Sequence, residues 1–419
     1  VTTTATPDES VRFNPFTAEF RRNPYPAYAR LREHRPIART MGMWVLTRHA
    51  DVRAVLGDRS FSSDVIPQMV TRAAAEADHL TTGIERLGAT SLVFTDDPAH
   101  ARLRGLVNTV FTRTTVEALR PVVSHIAVEL VDRVARAGVT DIISRVAAPL
   151  PVRVLCAWMA LPSAVADHVT AWTRDIRLLL EPGLLRRGEH ERIGDVIDTF
   201  TAALAEMIAD RRRRPGDDLV SHLLASRTGG GDTLTDEETA HLLIMCFVAG
   251  VETTTSLIGN ALLAILTRPD LADSLSCRAD LVPGTIRETL RYDSPLQMTT
   301  RVAGRDSLVA DHAIAAGEQV LLCLGSANRD PAVFSRPDDF DPSRRTASRA
   351  EDHLALGHGM HGCLGGALAR LQAEVVVAEL VGRDGQPRMT CDPADLEWQE
   401  SSLILRALKQ LPIELGAAS

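Results

Sequence analysis

The sequence predicts a mainly α fold with small β-sheets, a helix-dominated α+β domain. Three observations lead there. Ala-, Leu- and Arg-rich stretches with apolar residues three to four apart fill most of the chain. Strand-like runs are few and short. No repeat of about 20–50 residues and no long linker divides the chain. The 419 residues are therefore read as a single domain over 1–419, with an extended N-terminus to about residue 13.

Taken in order, the spacing predicts a helix over Pro26–His34 and a strand over Met43–Thr47. Helices follow over Ala101–Phe111, Thr115–Ala137, Ala164–Leu180 and His190–Arg213. The longest runs from Thr235 to Leu266 and opens on a capping box, Thr235-x-x-Glu238. A helix over Leu281–Tyr292, a strand over Gln319–Leu324 and a helix over Gly365–Val381 come next. Strands over Leu403–Leu408 and Leu411–Leu415 complete the pattern. Two segments, Ile66–Thr90 and Glu181–Glu189, read as mobile covers for a pocket.

Hydrophobic residues make up 45% and charged residues 24%, ordinary for a globular protein. Aromatic residues are 4%, so the interior and any pocket in it must be aliphatic. A net charge of −8 argues against a nucleic-acid binder. No apolar run is read as membrane-spanning, and the polar start lacks a signal-peptide pattern, so the expectation is a cytoplasmic protein away from membranes. Of six cysteines none forms a C-x-x-C pair. Cys156, Cys246, Cys277, Cys323 and Cys391 are read as free thiols of a reducing compartment.

The sixth, Cys363, stands in Leu356-Gly357-His358-Gly359-Met360-His361-Gly362-Cys363-Leu364-Gly365-Gly366. A glycine-rich turn delivers this Cys to the start of an Ala/Leu helix, where free N–H groups stabilise an anion. The expectation is a lowered thiol pKa and a thiolate able to bind metal. The residues alone leave three readings open: a buried structural Cys, a zinc site with His358 and His361, or a haem-thiolate loop.

The pattern Gly357-x-Gly359-x-His361-x-Cys363-x-Gly365 resembles the haem-binding signature of the cytochrome P450 family. One departure is Leu356, where the family usually has Phe; it leaves the sulfur less shielded. The resemblance extends in order along nearly the whole chain. It takes in Asn23-Pro24-Tyr25-Pro26, Ala327-Asn328-Arg329-Asp330-Pro331, Phe340-Asp341-Pro342 and Leu411-Pro412-Ile413.

The resemblance implies a P450 fold, a triangular helix-rich domain with haem b between the long helix and the cysteine-loop helix, and Cys363 as axial ligand. Propionate partners would be His100 and Arg104, after Phe94-Thr95-Asp96-Asp97-Pro98, together with Arg301, and His361, Leu356, Gly357 and Gly365 of the loop would also contact the cofactor. In the long helix, Ala249-Gly250-Val251-Glu252-Thr253-Thr254-Thr255 is poor helix chemistry, and a Thr hydroxyl there can bond back to the carbonyl four residues earlier. By resemblance Glu252 feeds protons, Thr253 holds dioxygen, and Ala249 and Gly250 leave room above the haem. Glu288 and Arg291 share a helix face; in the family such a pair is buried and structural, extended here by Arg344.

The implied activity is a monooxygenase that activates dioxygen to hydroxylate or epoxidise a bulky, mostly apolar small molecule, free or carrier-protein tethered, in secondary-metabolite biosynthesis. Electrons would come from a separate ferredoxin and ferredoxin reductase. Arg113, Arg344, Arg345 and Arg370 are candidates for steering that partner. Substrate-lining candidates are Ile66, Met69, Val93, Leu179 and Leu180. Val248, Leu296, Met298, Leu403 and Ile404 complete the set. The expected state is a monomer. Oxidative coupling without oxygen insertion and a non-catalytic haem sensor are the alternative functions.

Overall fold

Thr235 starts the helix on which the rest is built. Its hydroxyl accepts from the Glu238 N–H, and the Glu238 carboxylate accepts from the Thr235 N–H at 2.9 Å, which closes the expected capping box. Asp236, Glu237 and Glu238 add charge that suits the positive end of the helix. From there Asp236–Leu266 runs for 31 residues, most of them buried. In this computed structural model the described residues are 12–64, 82–181, 184–186, 188–345, 352–383 and 386–415.

Helices pack around this axis on several sides: Gly366–Val381, Glu189–Arg213, Pro149–Trp158 and Val282–Tyr292. Their aliphatic faces form one continuous core. By length and composition Asp236–Leu266 is apolar enough to cross a membrane, with a mean hydropathy of 1.7 over its most apolar stretch. This corrects the reading that no run reaches that length. The same stretch is 67% buried inside the protein, so its apolar character serves the core.

Ten strands are described: β1 (Ile37–Thr40), β2 (Met43–Leu46), β3 (Phe61–Ser62), β4 (Val139–Asp141), β5 (Thr299–Ala303), β6 (Ser307–Val309), β7 (His312–Ile314), β8 (Gln319–Leu322), β9 (Arg388–Met389) and β10 (Pro412–Glu414). The largest sheet has the order β1-β2-β8-β5-β3, with β2 and β8 parallel and the other pairs antiparallel. It carries a smaller core of its own, built on Leu46, Val55, Phe61, Val320 and Leu322. The helix-dominated class with small sheets is therefore as expected.

Several elements differ from the sequence reading. Thr115–Ala137 is two helices, Arg113–Ala118 and Arg120–Ala137, the second with Pro121 in its first turn. Ala164–Leu180 is an α-helix, Ser163–Ile176, that tightens into a 3₁₀ turn over Arg177–Leu180. The strand read over Leu403–Leu408 is irregular. Only isolated bridges, Leu296 to Leu405 and Trp398 to Leu408, pair it with neighbours. β5 was not anticipated, because Thr299-Thr300-Arg301 breaks the apolar alternation.

Of the two supposed covers, residues 66–81 of the first lie outside the described residues. Its remainder, Thr82–Thr90, is a helix with Ile84 and Leu87 fully buried. The second begins at Glu181, which is itself buried, and ends at Glu189, the first residue of a long helix.

Candidate active site

A cavity of about 1000 Å³ lies between the long helix, the cysteine loop and the edge of the main sheet. The long helix contributes Leu242, Met245, Cys246, Ala249, Gly250, Thr253, Thr254 and Leu257. Steps of three, one, three, one define a single helical face. Ala249 and Gly250 are the small residues of that face, set between bulkier neighbours. The other walls are largely aliphatic, as the low aromatic content predicted.

The cysteine loop is folded by its glycines. Gly357 and Gly359 have φ of 72° and 71°, a region that side chains disfavour. At Gly359 a Cβ would also stand 2.5 Å from the Leu56 carbonyl oxygen. Cys363 N–H donates to the Leu356 carbonyl at 2.8 Å, which closes the loop. The Leu356 side chain lies beside Gly366, where a Cβ would come within 3.0 Å of it. Gly366–Val381 begins three residues after Cys363, with Gly365 as its cap. The N–H groups of Gly365 and Gly366 point at the sulfur.

The sulfur lies deep in the molecule, yet its surface opens onto the cavity. Burial pushes the thiol pKa up. The two N–H groups and the charges of Arg104 and Arg370 oppose this without overcoming it. This corrects the expected lowered pKa: the desolvation of a deep site outweighs a helix start and two guanidinium groups.

Basic groups gather on the same cavity. His100 is 2% exposed, with Nδ1 at 3.0 Å from the Leu92 carbonyl and Nε2 at 3.1 Å from the Met360 carbonyl. Burial, then the neighbouring His361, lowers its pKa. The two imidazole rings lie 4.2 Å apart. His361 Nε2 is buried without a hydrogen bond, and the nearest carboxylate oxygen, on Asp96, is 3.6 Å away. Arg301, on β5, is 8% exposed and donates to its own neighbour's carbonyl, that of Thr300, at 2.8 Å. Burial pushes its pKa down to about 10, with only Asp96 pulling it up. Arg104 lines the cavity too, with Nε on Asn108 at 3.0 Å.

An orphaned imidazole nitrogen and a buried, undercompensated guanidinium call for anionic partners. Beside them lies a glycine cradle with no side chains to obstruct a flat group, and a sulfur facing the same space. These residues fit a haem: thiolate below, carboxylate partners at the edge. The zinc reading fares differently, since no group of three metal-ligating side chains occurs among the described residues.

Thr253 faces the cavity and its hydroxyl donates to the Ala249 carbonyl at 2.7 Å. Thr255 and Ser256 bond back in the same way, to Val251 and Glu252. Glu252 does not line the cavity. It sits on the flank of the lining stripe, and its carboxylate meets Nε of Arg177 at 2.9 Å. Burial raises its pKa and Arg177 lowers it.

Behind the site, Glu288 and Arg291 are 3% and 2% exposed and paired at 2.6 Å. All five N–H donors of Arg291 are used: two on Glu288 and one each on the carbonyls of Asn328, Pro337 and Asp339. Arg344 joins Glu288 at 3.1 Å and is largely buried. It therefore belongs to this scaffold, which removes it from the docking candidates. Arg113 and Arg345 are exposed, and Arg370 lines the cavity.

Among the substrate candidates, Val93, Leu179, Leu180, Leu296, Met298, Leu403 and Ile404 all line the cavity. Val248 does not: it is 2% exposed and packed in the main core, one helical step off the lining stripe. Ile66 and Met69 lie outside the described residues. Sequence reasoning missed Leu242, Met245, Cys246 and Leu257, although counting outward from Ala249 at helical spacing finds them. It also missed Phe16, Met41 and Met43, which reach the cavity from the N-terminal part of the chain with no local signal.

The cytochrome P450 family model matches residues 174–277 and 278–383. Cytochrome P450 107B1 of Saccharopolyspora erythraea is 36% identical, over 96% of this chain and 97% of that protein. The 6-deoxyerythronolide B hydroxylase of the same organism is 33% identical, over 93% and 96%. Among solved structures, P450BioI in complex with an acyl carrier protein bearing hexadec-9Z-enoic acid superposes with a TM-score of 0.84 at 31% identity, covering 95% of this chain and 99% of that one. The chain belongs to the cytochrome P450 family. It is a monooxygenase of the bacterial biosynthetic type, and its cofactor is haem b.

Proposed function

We propose that this P450 hydroxylates or epoxidises a bulky, mostly apolar small molecule of secondary metabolism, with Cys363 as the axial ligand of its haem. The observation that carries the reading is a single cavity lined both by the Cys363 sulfur and by the Ala249, Gly250 and Thr253 face of the long helix. The aliphatic walls suit an apolar ligand, and relatives named 6-deoxyerythronolide B hydroxylase and mycinamicin IV hydroxylase/epoxidase support the reaction and substrate class. The carrier-protein complex of P450BioI supports a tethered form of substrate.

When bound, haem would supply the activation of dioxygen, with electron donation from the Cys363 thiolate. The residues of this chain do the rest. Cys363 would hold the cofactor, with Gly365 and Gly366 N–H groups tempering the charge on its sulfur. Arg301, His361, His100 and Arg104 would take the two propionates, and that pairing would relieve the buried charge of Arg301. Thr253 offers a hydroxyl at the cavity wall, and Glu252, held by Arg177, is the reserve of protons behind it. The apolar walls exclude water. Electrons come from a separate ferredoxin and its reductase, steered by exposed Arg113 and Arg345. The protein works as a cytoplasmic monomer.

The test is the spectrum of the ferrous carbonyl adduct. The parent protein shows the red-shifted band of thiolate-bound haem, and Cys363→Ser loses it. A Cys363→Ser variant that keeps the native spectrum and turnover would sink the assignment. Labelled dioxygen then reports on the reaction: the label enters the product of an oxygen insertion.

A further inference from the structure

Glu181 closes the turn Arg177–Leu180 and buries its side chain, 7% exposed. One carboxylate oxygen accepts from the backbone N–H groups of Leu403 at 2.7 Å and Ile404 at 3.3 Å. The other stands 3.6 Å from a terminal nitrogen of Arg177, whose side chain is 8% exposed and whose Nε meets Glu252 at 2.9 Å. These contacts join two walls of the cavity that are more than two hundred residues apart in sequence. Leu179 and Leu180 line one wall, Leu403 and Ile404 the other.

The C-terminal wall is fixed on its far side. Gln297 N–H donates to the Ile404 carbonyl at 2.7 Å, and Arg406 N–H donates to the Pro295 carbonyl at 2.8 Å. Its near side meets Glu181. A carboxylate that receives two backbone N–H groups in a water-poor place forms charge-assisted bonds. Those donors would otherwise be left unpaired when the wall is buried.

We propose that Glu181 is a positioning residue that fastens Leu179 and Leu180 to the Leu403–Ile404 wall and so sets the size of ligand that can pass into and out of the cavity. The same carboxylate shares Arg177 with Glu252, so the fastened wall and the carboxylate behind Thr253 are held by one guanidinium. Opening the wall frees Leu403 and Ile404 N–H and hydrates Glu181, while the wall anchored at Pro295 and Gln297 stays in place. A ligand small enough to pass the closed wall is indifferent to Glu181; a large one is not. The proposal rests on the reading of this cavity as the substrate chamber over haem.

Two azoles of different size, imidazole and clotrimazole, serve as probes on the haem-loaded protein, followed by the shift of the Soret band in stopped flow. Glu181→Ala is expected to raise the clotrimazole dissociation rate at least about tenfold, with that of imidazole within about twofold of the parent. Glu181→Gln keeps an acceptor oxygen without the charge and is expected to fall between. If Glu181→Ala does not fold, Glu181→Gln carries the comparison. In parallel, hydrogen exchange across residues 399–408 of the holoenzyme is expected to accelerate in both variants. Clotrimazole kinetics and amide exchange both unchanged from the parent would overturn the proposal. A failure of either azole to shift the Soret band would overturn the chamber reading, and the exchange measurement would still decide the role of Glu181.

Discussion

The carboxylate of Glu252 is turned away from the cavity that its neighbour Thr253 lines, and it meets Nε of Arg177 at 2.9 Å. One helical step separates a residue facing the reaction space from one held behind it. Burial sets the Glu252 pKa above the ordinary carboxylate value, and Arg177 is the first opposing influence. Removing that cation leaves burial and the charge of Glu181, which push the same way, opposed only by the smaller influence of Arg174. Arg177→Met therefore raises the Glu252 pKa, and its carboxyl stays protonated to higher pH. Glu252 gives protons from its protonated form, so the alkaline limb of the pH profile of product formed per electron pair consumed should be displaced upward. An unmoved limb would show that Glu252 does not control it.

Thr253 spends its hydroxyl hydrogen on the Ala249 carbonyl at 2.7 Å, so the oxygen is presented to the cavity. Thr253→Ala removes that oxygen and gains slightly in helix propensity. Stability should stay within about 1 kcal/mol of the parent. Product per electron pair should fall about tenfold or more, with peroxide rising in its place. Unchanged coupling without added peroxide would remove Thr253 from the proton path.

Arg301 gives a prediction with opposite signs in two states. Its folded pKa, about 10, lies below the ordinary guanidinium range, so the group stays charged at neutral pH while its burial costs the haem-free fold stability. Arg301→Met should leave the haem-free protein at least as resistant to heat as the parent. With haem bound the sign reverses, because a propionate loses its partner: haem affinity falls and the loaded protein melts earlier. Melting curves with and without haem, and haem transfer to apomyoglobin, measure both arms. Haem affinity equal to the parent's would show that Arg301 has no propionate to bind.

Glu288 holds Arg291 and Arg344 at once, and its carboxylate also accepts from the Asp341 N–H at 3.0 Å. Glu288→Ala strands two buried guanidinium groups. The expected cost is about 3–5 kcal/mol, read as a lower denaturant midpoint. Arg291→Lys should also be costly, since an ammonium cannot fill five fixed donor positions. A denaturant midpoint at the parent's value in both variants would refute the structural role.

Local chemistry was legible along the chain. The capping box at Thr235 and Glu238, the back-bonding hydroxyls of Thr253 and Thr255, and the sharp turns at Gly357 and Gly359 depend on neighbours within a few residues. The three-to-four spacing found nearly every long helix. Its failures were local too: the junction between Ala118 and Arg120 and the irregular run at Leu403–Leu408, held by isolated bridges, differ from a regular element by a turn or a break in pairing.

The sequence by itself determined the fold class, the family and the cysteine that opens onto the cavity, because each is written in residues near one another. Tertiary structure alone decided what depends on distance through space. It put Glu252 on Arg177 and Glu181 under Leu403, moved Val248 into the core, and gave Arg344 to Glu288. It also set the direction of the Cys363 pKa. Solvent exclusion and charge pairing are properties of an enclosed volume, and the order of residues does not state which distant groups will enclose it.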